Sequence, residues 1–141
     1  MLQAKNENFK EKVLEKLKGQ EFMKLMGFNL TEIIAGQTSG EMEIGKQIEQ
    51  QDGFVHGGAV ATIADIVAGF AAYTLVDVEE RVVTAEIKVS YFRPAKGDRI
   101  YAIGKVIKPG SKFHFCEAEV WVQIGEKHSL VAKATTTMAV V

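Results

Sequence analysis

The stretch DGFVHGGAVATIADIVAGF, residues 52–70, decides how this chain must fold. Between residues 55 and 75 the only side chain certain to be charged at neutral pH is Asp65. A carboxylate taken out of water costs free energy unless it is paired or hydrogen-bonded. Asp65 is therefore either an irregularity the fold tolerates or the reason the segment exists. The run is too long for an ordinary strand and predicts a helix from residue 57 or 58 to about residue 75. It is also long enough to be tested as a membrane span. Its Ala and Gly content, Asp65 and its amphipathic neighbours favour a buried core helix instead.

After this segment the apolar period changes to two. In RVVTAEIKVSYF, residues 81–92, Val83, Ala85, Ile87, Val89 and Tyr91 alternate with Thr84, Glu86, Lys88 and Ser90. Three further strands are expected over residues 99–107, 112–124 and 129–140, with turn signals at 94–98, 109–110 and 125–126 between them. Such short connections predict antiparallel neighbours, because a parallel return needs a long crossover. Upstream, residues 28–35 and 41–48 read as two strands joined by a turn at 36–40. Residues 8–25 carry Phe9, Val13, Leu17, Phe22 and Leu25 at helical spacing, broken at Gly19, so one bent helix or two short ones are expected. A helix that is apolar nearly all round must be covered nearly all round. The expected fold is a single α+β domain, a curved antiparallel sheet wrapped around a long central helix.

Composition narrows the function. At 141 residues, 47% apolar and 25% charged, the chain is long enough for a real core and is not generally disordered. A net charge of -1 gives no electrostatic attraction to nucleic acid or an anionic membrane. Cys116, alone, cannot form an internal disulfide, which fits a reducing compartment. The opening MLQAKNENFKEKVLEKL lacks the apolar core of a signal peptide, so a cytoplasmic protein is expected.

Gly53-Phe54-Val55-His56-Gly57-Gly58, followed by Asp65 on the ensuing helix, resembles the hotdog-fold acyl-CoA thioesterases, in the phenylacetate-pathway (PaaI-like) branch. That pattern is Asn-x-x-Gly-x-x-His-Gly-Gly with Asp seven residues after the last Gly. VSYFRPAKGD, residues 89–98, is similar to the same family, which often has a strand ending in an aromatic, a variable residue and Pro. The resemblance covers roughly residues 27–141. It makes residues 1–26 a helical extension packing on the domain and 27–141 the thioesterase domain. It implies hydrolysis of acyl-CoA or acyl-carrier-protein thioesters without metal or redox cofactor, with Asp65 as base or nucleophile. Gln50 stands where the motif has Asn and carries the same amide on one more methylene. Thr84 falls where the branch often has Ser or Thr, a hydroxyl suited to positioning water.

The chemistry fits these residues. The first amides of a helix have no intrahelical partner. Near Gly57, glycine lets a substrate carbonyl approach them closely. They and the positive helix end suit a developing oxyanion. At ~1.5 Å rise per residue, Gly57 and Asp65 stand roughly 12 Å apart along one helix. One carbonyl carbon cannot readily meet both, so a second subunit must supply one of them. The expectation is a homodimer as the minimum active unit; by the resemblance, a homotetramer is the expected assembly.

Other residues have plainer readings. His56 serves either to start the helix or to touch substrate, and Gly57 and Gly58 also suit a tight turn. Arg93, Lys96, Lys108 and Lys112 are candidates for coenzyme A phosphates, Arg93 and Lys112 the better ones. Tyr91 and Phe92 read as packing residues. His114 and Cys116 share a strand face, but no third and fourth metal ligand is apparent. There is no Gly-x-Ser-x-Gly elbow and no phosphate-loop Lys-Ser or Lys-Thr. A non-catalytic acyl-CoA-binding module on the same fold is the alternative. The hydratase branch is disfavoured because Pro94 and Pro109 lie far from His56 and Asp65.

Overall fold

A computed structural model describes all 141 residues. Two short helices, α1 (Phe9–Leu17) and α2 (Glu21–Met26), precede the hairpin β1 (Asn29–Ile34) and β2 (Gln37–Glu43). A short 3-10 turn at Lys46–Ile48 leads to the long helix α3 (Gly57–Tyr73). Four strands follow: β3 (Val82–Tyr91), β4 (Arg99–Lys108), β5 (Phe113–Ile124) and β6 (Lys127–Val140). They form one six-stranded antiparallel sheet in the order β1-β2-β4-β5-β6-β3. The curved antiparallel sheet around a central helix, expected from the apolar segment and named hotdog by the resemblance, is the architecture observed.

The sheet supplies the cover that α3 needs. Val60, Ile63, Ala64, Val67, Ala68, Ala71 and Ala72 of α3 are almost fully buried. They meet the inward faces of the strands, where Ile100, Ala102, Val120, Ala132 and Met138 lie. At Gly104 the β4 backbone comes so close that a Cβ there would sit 2.4 Å from the Val67 carbonyl carbon. Thr38 of β2 donates from its hydroxyl to the Val67 carbonyl at 2.7 Å. At the far end of the helix Thr74 accepts from Gly36 N–H at 2.7 Å and donates to Ala71 O at 2.6 Å. Helix and hairpin are thus locked together at two depths.

Residues 44–48, expected to complete the second strand, lie beyond β2 and hold the 3-10 turn Lys46–Ile48. Two further expectations need correction. The polar run Gln37-Thr38-Ser39-Gly40 is strand, and the turn is confined to Ala35 and Gly36, where Gly36 takes φ +78°. Inward positions of β2 are set by fit: the Thr38 hydroxyl has its buried acceptor, and a Cβ at Gly40 would lie 2.5 Å from the Phe28 ring. Second, β3 and β4 follow one another closely but are not neighbours. β3 pairs with β6 and β4 with β2 and β5. Residues 92–98 cross beneath the N-terminus of α3, where Val55 N–H donates to Ala95 O at 2.8 Å and Ala95 is buried. Three strand spacings are roughly 14 Å, and seven extended residues reach roughly 23 Å. The connection is therefore long enough, and curvature of the sheet shortens its path.

His114 and Cys116 face the core side by side, each about 3% exposed. Burial pushes the Cys116 thiol up to about 11, so it packs as a neutral side chain. Burial also lowers the proton affinity of His114; Lys5 adds to this and Glu80 opposes it. The folded protein then keeps the ring neutral, while the unfolded chain takes up a proton near pH 6.5. This contribution to stability is complete above that pH. It declines as pH falls towards the depressed folded value, at up to about 1.4 kcal/mol per pH unit. Urea unfolding between pH 7.5 and 5 should show a shallower fall for His114→Gln than for wild type. Equal slopes would mean that His114 does not carry this dependence.

Candidate active site

Asp65 lies on the α3 face that turns towards β3, and it is half-buried rather than sealed. Its only side-chain partner is Thr84 of β3, whose hydroxyl donates to Asp65 Oδ1 at 2.6 Å. A bulge in the β3–β6 register follows Thr84, which stands opposite Met138 on the inward side. Asp65 takes part in no ion pair. The puzzle of a lone carboxylate in an apolar segment is thus resolved locally: the carboxylate opens into a cleft and is held from one side by a hydroxyl.

That cleft, of about 420 Å³, runs between α3, β3 and the α1–α2 segment. Asp65, Ile66, Gly69, Phe70 and Tyr73 form one wall, and Val82, Val83 and Thr84 the opposite one. Helical spacing explains the first wall, because residues one, four, five and eight positions on from Asp65 return to the same face.

The start of α3 is a second locus. His56 is the N-cap, with its Nδ1 accepting from Gly58 N–H at 2.8 Å. The Gly57 N–H donates to no group of the chain. It opens into a groove of about 460 Å³ with Gln50, Phe54, Tyr91 and Arg93 among its walls. Gln50 accepts from Asp52 N–H through its amide oxygen, which leaves its amide NH₂ free. Tyr91 donates from its hydroxyl to Gly57 O at 2.8 Å, bracing the helix start. The packing role expected for Tyr91 missed this bond; its place on the inward alternation of β3 with Ile87 and Val89 was the available signal.

The structure groups the candidate residues into two sets. Asp65 and Thr84 share the cleft; Gln50, Gly57 and Arg93 share the groove; no residue lines both. His56 lines neither. Gly58 is occupied by the His56 cap. Lys112 precedes β5 beside Val140, whereas Arg93 follows β3 near Val131, so the two stand at opposite ends of β6. No group of three or more His, Cys, Asp or Glu is arranged to hold a metal ion. No helix is long and apolar enough to cross a membrane.

Residues 52–128, a span that holds the His-Gly-Gly turn, Asp65 and Thr84, match the family described as the thioesterase superfamily. The chain belongs to the thioesterase superfamily. A 1,4-dihydroxy-2-naphthoyl-CoA hydrolase of Escherichia coli is 27% identical over 99 residues, 70% of this chain and 71% of that protein. The structure of a thioesterase family protein from Silicibacter pomeroyi is 28% identical, with a TM-score of 0.93 over 94% of this chain and 98% of that one. The PaaI protein of the E. coli phenylacetic acid degradation operon shares the fold at a TM-score of 0.84 over 94% of this chain and 93% of that one, with 18% identity. This thioesterase-superfamily chain is a thioester hydrolase.

Proposed function

We propose that the chain hydrolyses acyl-CoA thioesters, aliphatic or aryl, in sites shared between two subunits, as a PaaI-like thioesterase. The observation that carries the reading is the division of the site. The base candidate Asp65 and the free Gly57 N–H occupy separate cavities of one chain. Both cavities are bounded by β3, whose outer edge has no partner in the chain and which exposes Val83, Ile87 and Tyr91. A ten-residue edge strand with exposed apolar side chains is a template for pairing with a second copy. Antiparallel pairing of two β3 strands about a two-fold axis would set Thr84 of one copy near Tyr91 of the other. The Asp65 cleft would then face the Gly57 groove of the partner.

In that arrangement the thioester carbonyl accepts from the Gly57 N–H, and Gln50 orients it. Asp65, aimed by Thr84, takes a proton from water as its oxygen attacks the carbonyl carbon. The tetrahedral oxyanion collapses, the C–S bond breaks, and the thiolate regains a proton as free CoA. Direct attack by Asp65, giving a mixed anhydride that water then cleaves, needs the same geometry. Arg93, at the rim of the groove, suits the phosphates of coenzyme A. Residues 1–26 wall the acyl side as an extension of the domain. A buried reduced Cys116 is consistent with a cytoplasmic setting.

The test is thiol release from short, long and aryl acyl-CoA esters, with size measured in solution to separate dimer from homotetramer. Saturable binding without release from any ester would identify a binding module instead. Thr84→Val should lower kcat about tenfold with KM nearly unchanged, the scale of misaiming a proton acceptor. Thr84→Ser should restore it. A Val variant as fast as wild type would remove Thr84 from the mechanism.

A further inference from the structure

The Asp65 cleft is not uniformly apolar along its length. It begins at the carboxylate and ends beside Tyr73, eight residues on, where Lys16 and Arg81 stand; Gln20 is a further polar residue of its lining. Lys16 Nζ lies 5.7 Å from the Tyr73 ring centre, and Arg81 acts electrostatically on the Tyr73 phenol from the same end. Neither cation is paired. The five ion pairs of the chain are Lys5–Glu80, Lys18–Glu15, Lys24–Glu21, Arg99–Glu41 and Lys133–Glu117. Of the acids that follow α3, Glu80 holds Lys5, the Asp77 carboxylate accepts from Val78 N–H, and Glu79 pairs with neither cation. Lys12, 4.3 Å from the Tyr73 ring centre, donates to the Asp77 and Glu80 carbonyls. The Tyr73 hydroxyl also makes no hydrogen bond within the chain, so the far end presents three polar side chains without hydrogen-bond partners, and the Gln20 side chain in the lining is likewise free. Between the two ends the walls are Ile66, Gly69, Phe70 and Val82, which offer no hydrogen bond. Gly69 leaves a gap there, since a Cβ would meet only Met138 Cε, at 3.9 Å.

We propose that the cleft selects acyl groups with an apolar middle and a carboxylate at the far end, that is, the CoA thioesters of medium-length dicarboxylic acids, with Lys16 and Arg81 as the specificity-determining residues. The inference rests on the reading of the cleft as the acyl side of a thioesterase site. The distance from Asp65 to Tyr73 is roughly 12 Å along the helix, of which an extended eight-carbon chain covers about 9 Å and its contacts with the groups at the two ends the rest. An apolar acyl tail of that length would end against two solvated cations and gain nothing from them. A terminal carboxylate would accept from both, and the Tyr73 hydroxyl would add a third donor.

Binding tests this independently of turnover. The probes are two non-hydrolysable CoA thioethers, S-octyl-CoA and its analogue with a carboxylate on the terminal carbon. Wild type should bind the carboxylate form about tenfold more tightly. Arg81→Gln and Lys16→Gln should each erase roughly fivefold or less of that preference, the scale of a solvent-exposed ion pair, and the double variant nearly all of it. Affinity for the neutral thioether should stay within twofold throughout. Equal or tighter binding of the neutral form by wild type overturns the inference, as does an undiminished preference in the double variant. Thiol release from the matching thioesters, measured alongside, reports separately on the hydrolase reading.

Discussion

Asp65→Asn should lower thiol release from the best acyl-CoA ester by at least about a hundredfold, the range associated with a positioned proton acceptor. The substitution is nearly isosteric. Asparagine keeps an oxygen that can accept from the Thr84 hydroxyl, now held at 2.6 Å, so the local packing has no reason to change. What disappears is the negative charge and with it both roles proposed for Asp65, as acceptor of the water proton or as nucleophile. Asparagine does neither near neutral pH. Steady-state kinetics on both proteins, with unfolding midpoint and solution size compared, provides the check. A variant retaining more than a tenth of wild-type kcat would place the base elsewhere. The proposed division of the site adds a sharper version. Because Asp65 and the Gly57 N–H line separate cavities, the loss should appear in kcat, while affinity for CoA itself through the Gly57 groove stays near wild type.

Gly104→Ala carries the largest expected effect on stability. The β4 backbone lies against α3 there, and the added Cβ would meet Val67 C at 2.4 Å, Val67 O at 2.5 Å and Ala68 N at 2.6 Å. All three are backbone atoms in the middle of a helix, so no side chain can rotate aside. Either α3 lifts off the sheet or β4 buckles, and both break the Thr38–Val67 hydrogen bond's geometry. Overpacking of this kind costs about 3 kcal/mol, which for a chain of this length lowers the midpoint by roughly 10 °C. Thermal unfolding followed by circular dichroism decides it. A midpoint within 2 °C of wild type would show that helix and sheet are not in such close contact. Gly69→Ala is the matched control, because its Cβ meets only a methionine methyl at ordinary distance.

These two positions differ in how far they could be read in advance. Asp65 announced itself as a lone charge in an apolar run, and its helix and spacing from Gly57 followed from length and the helical rise. Gly104 did not. Between Ile103 and Lys105 it is one glycine in an alternating strand, and only the approach of a helix distant in sequence gives it meaning. Tyr91 is similar: alternation put it on the inward side, but its bond to Gly57 O depends on the helix start lying beneath the strand end.

The hairpin shows why local polarity misleads. Gln37-Thr38-Ser39-Gly40 has the composition of a turn, yet the hydroxyl of Thr38 and the absent side chain of Gly40 are what the inner face requires under α3 and beside Phe28. A polar residue in a strand is acceptable when its acceptor is a carbonyl the helix brings to it, and that carbonyl is invisible from the strand's own sequence.

The apolar central helix, its need for complete cover, the antiparallel strands after it and the lone carboxylate on it were all legible in the order of residues. These follow from period, length and charge, which are properties of residues close together in the chain. The place of β3 at the sheet edge beside β6, the hold of Thr84 on Asp65, and the opening of the free Gly57 N–H and Asp65 into different cavities emerge only from the folded chain. Each of those depends on which segments meet across the fold, and pairing energies between distant segments leave no periodic mark in either one.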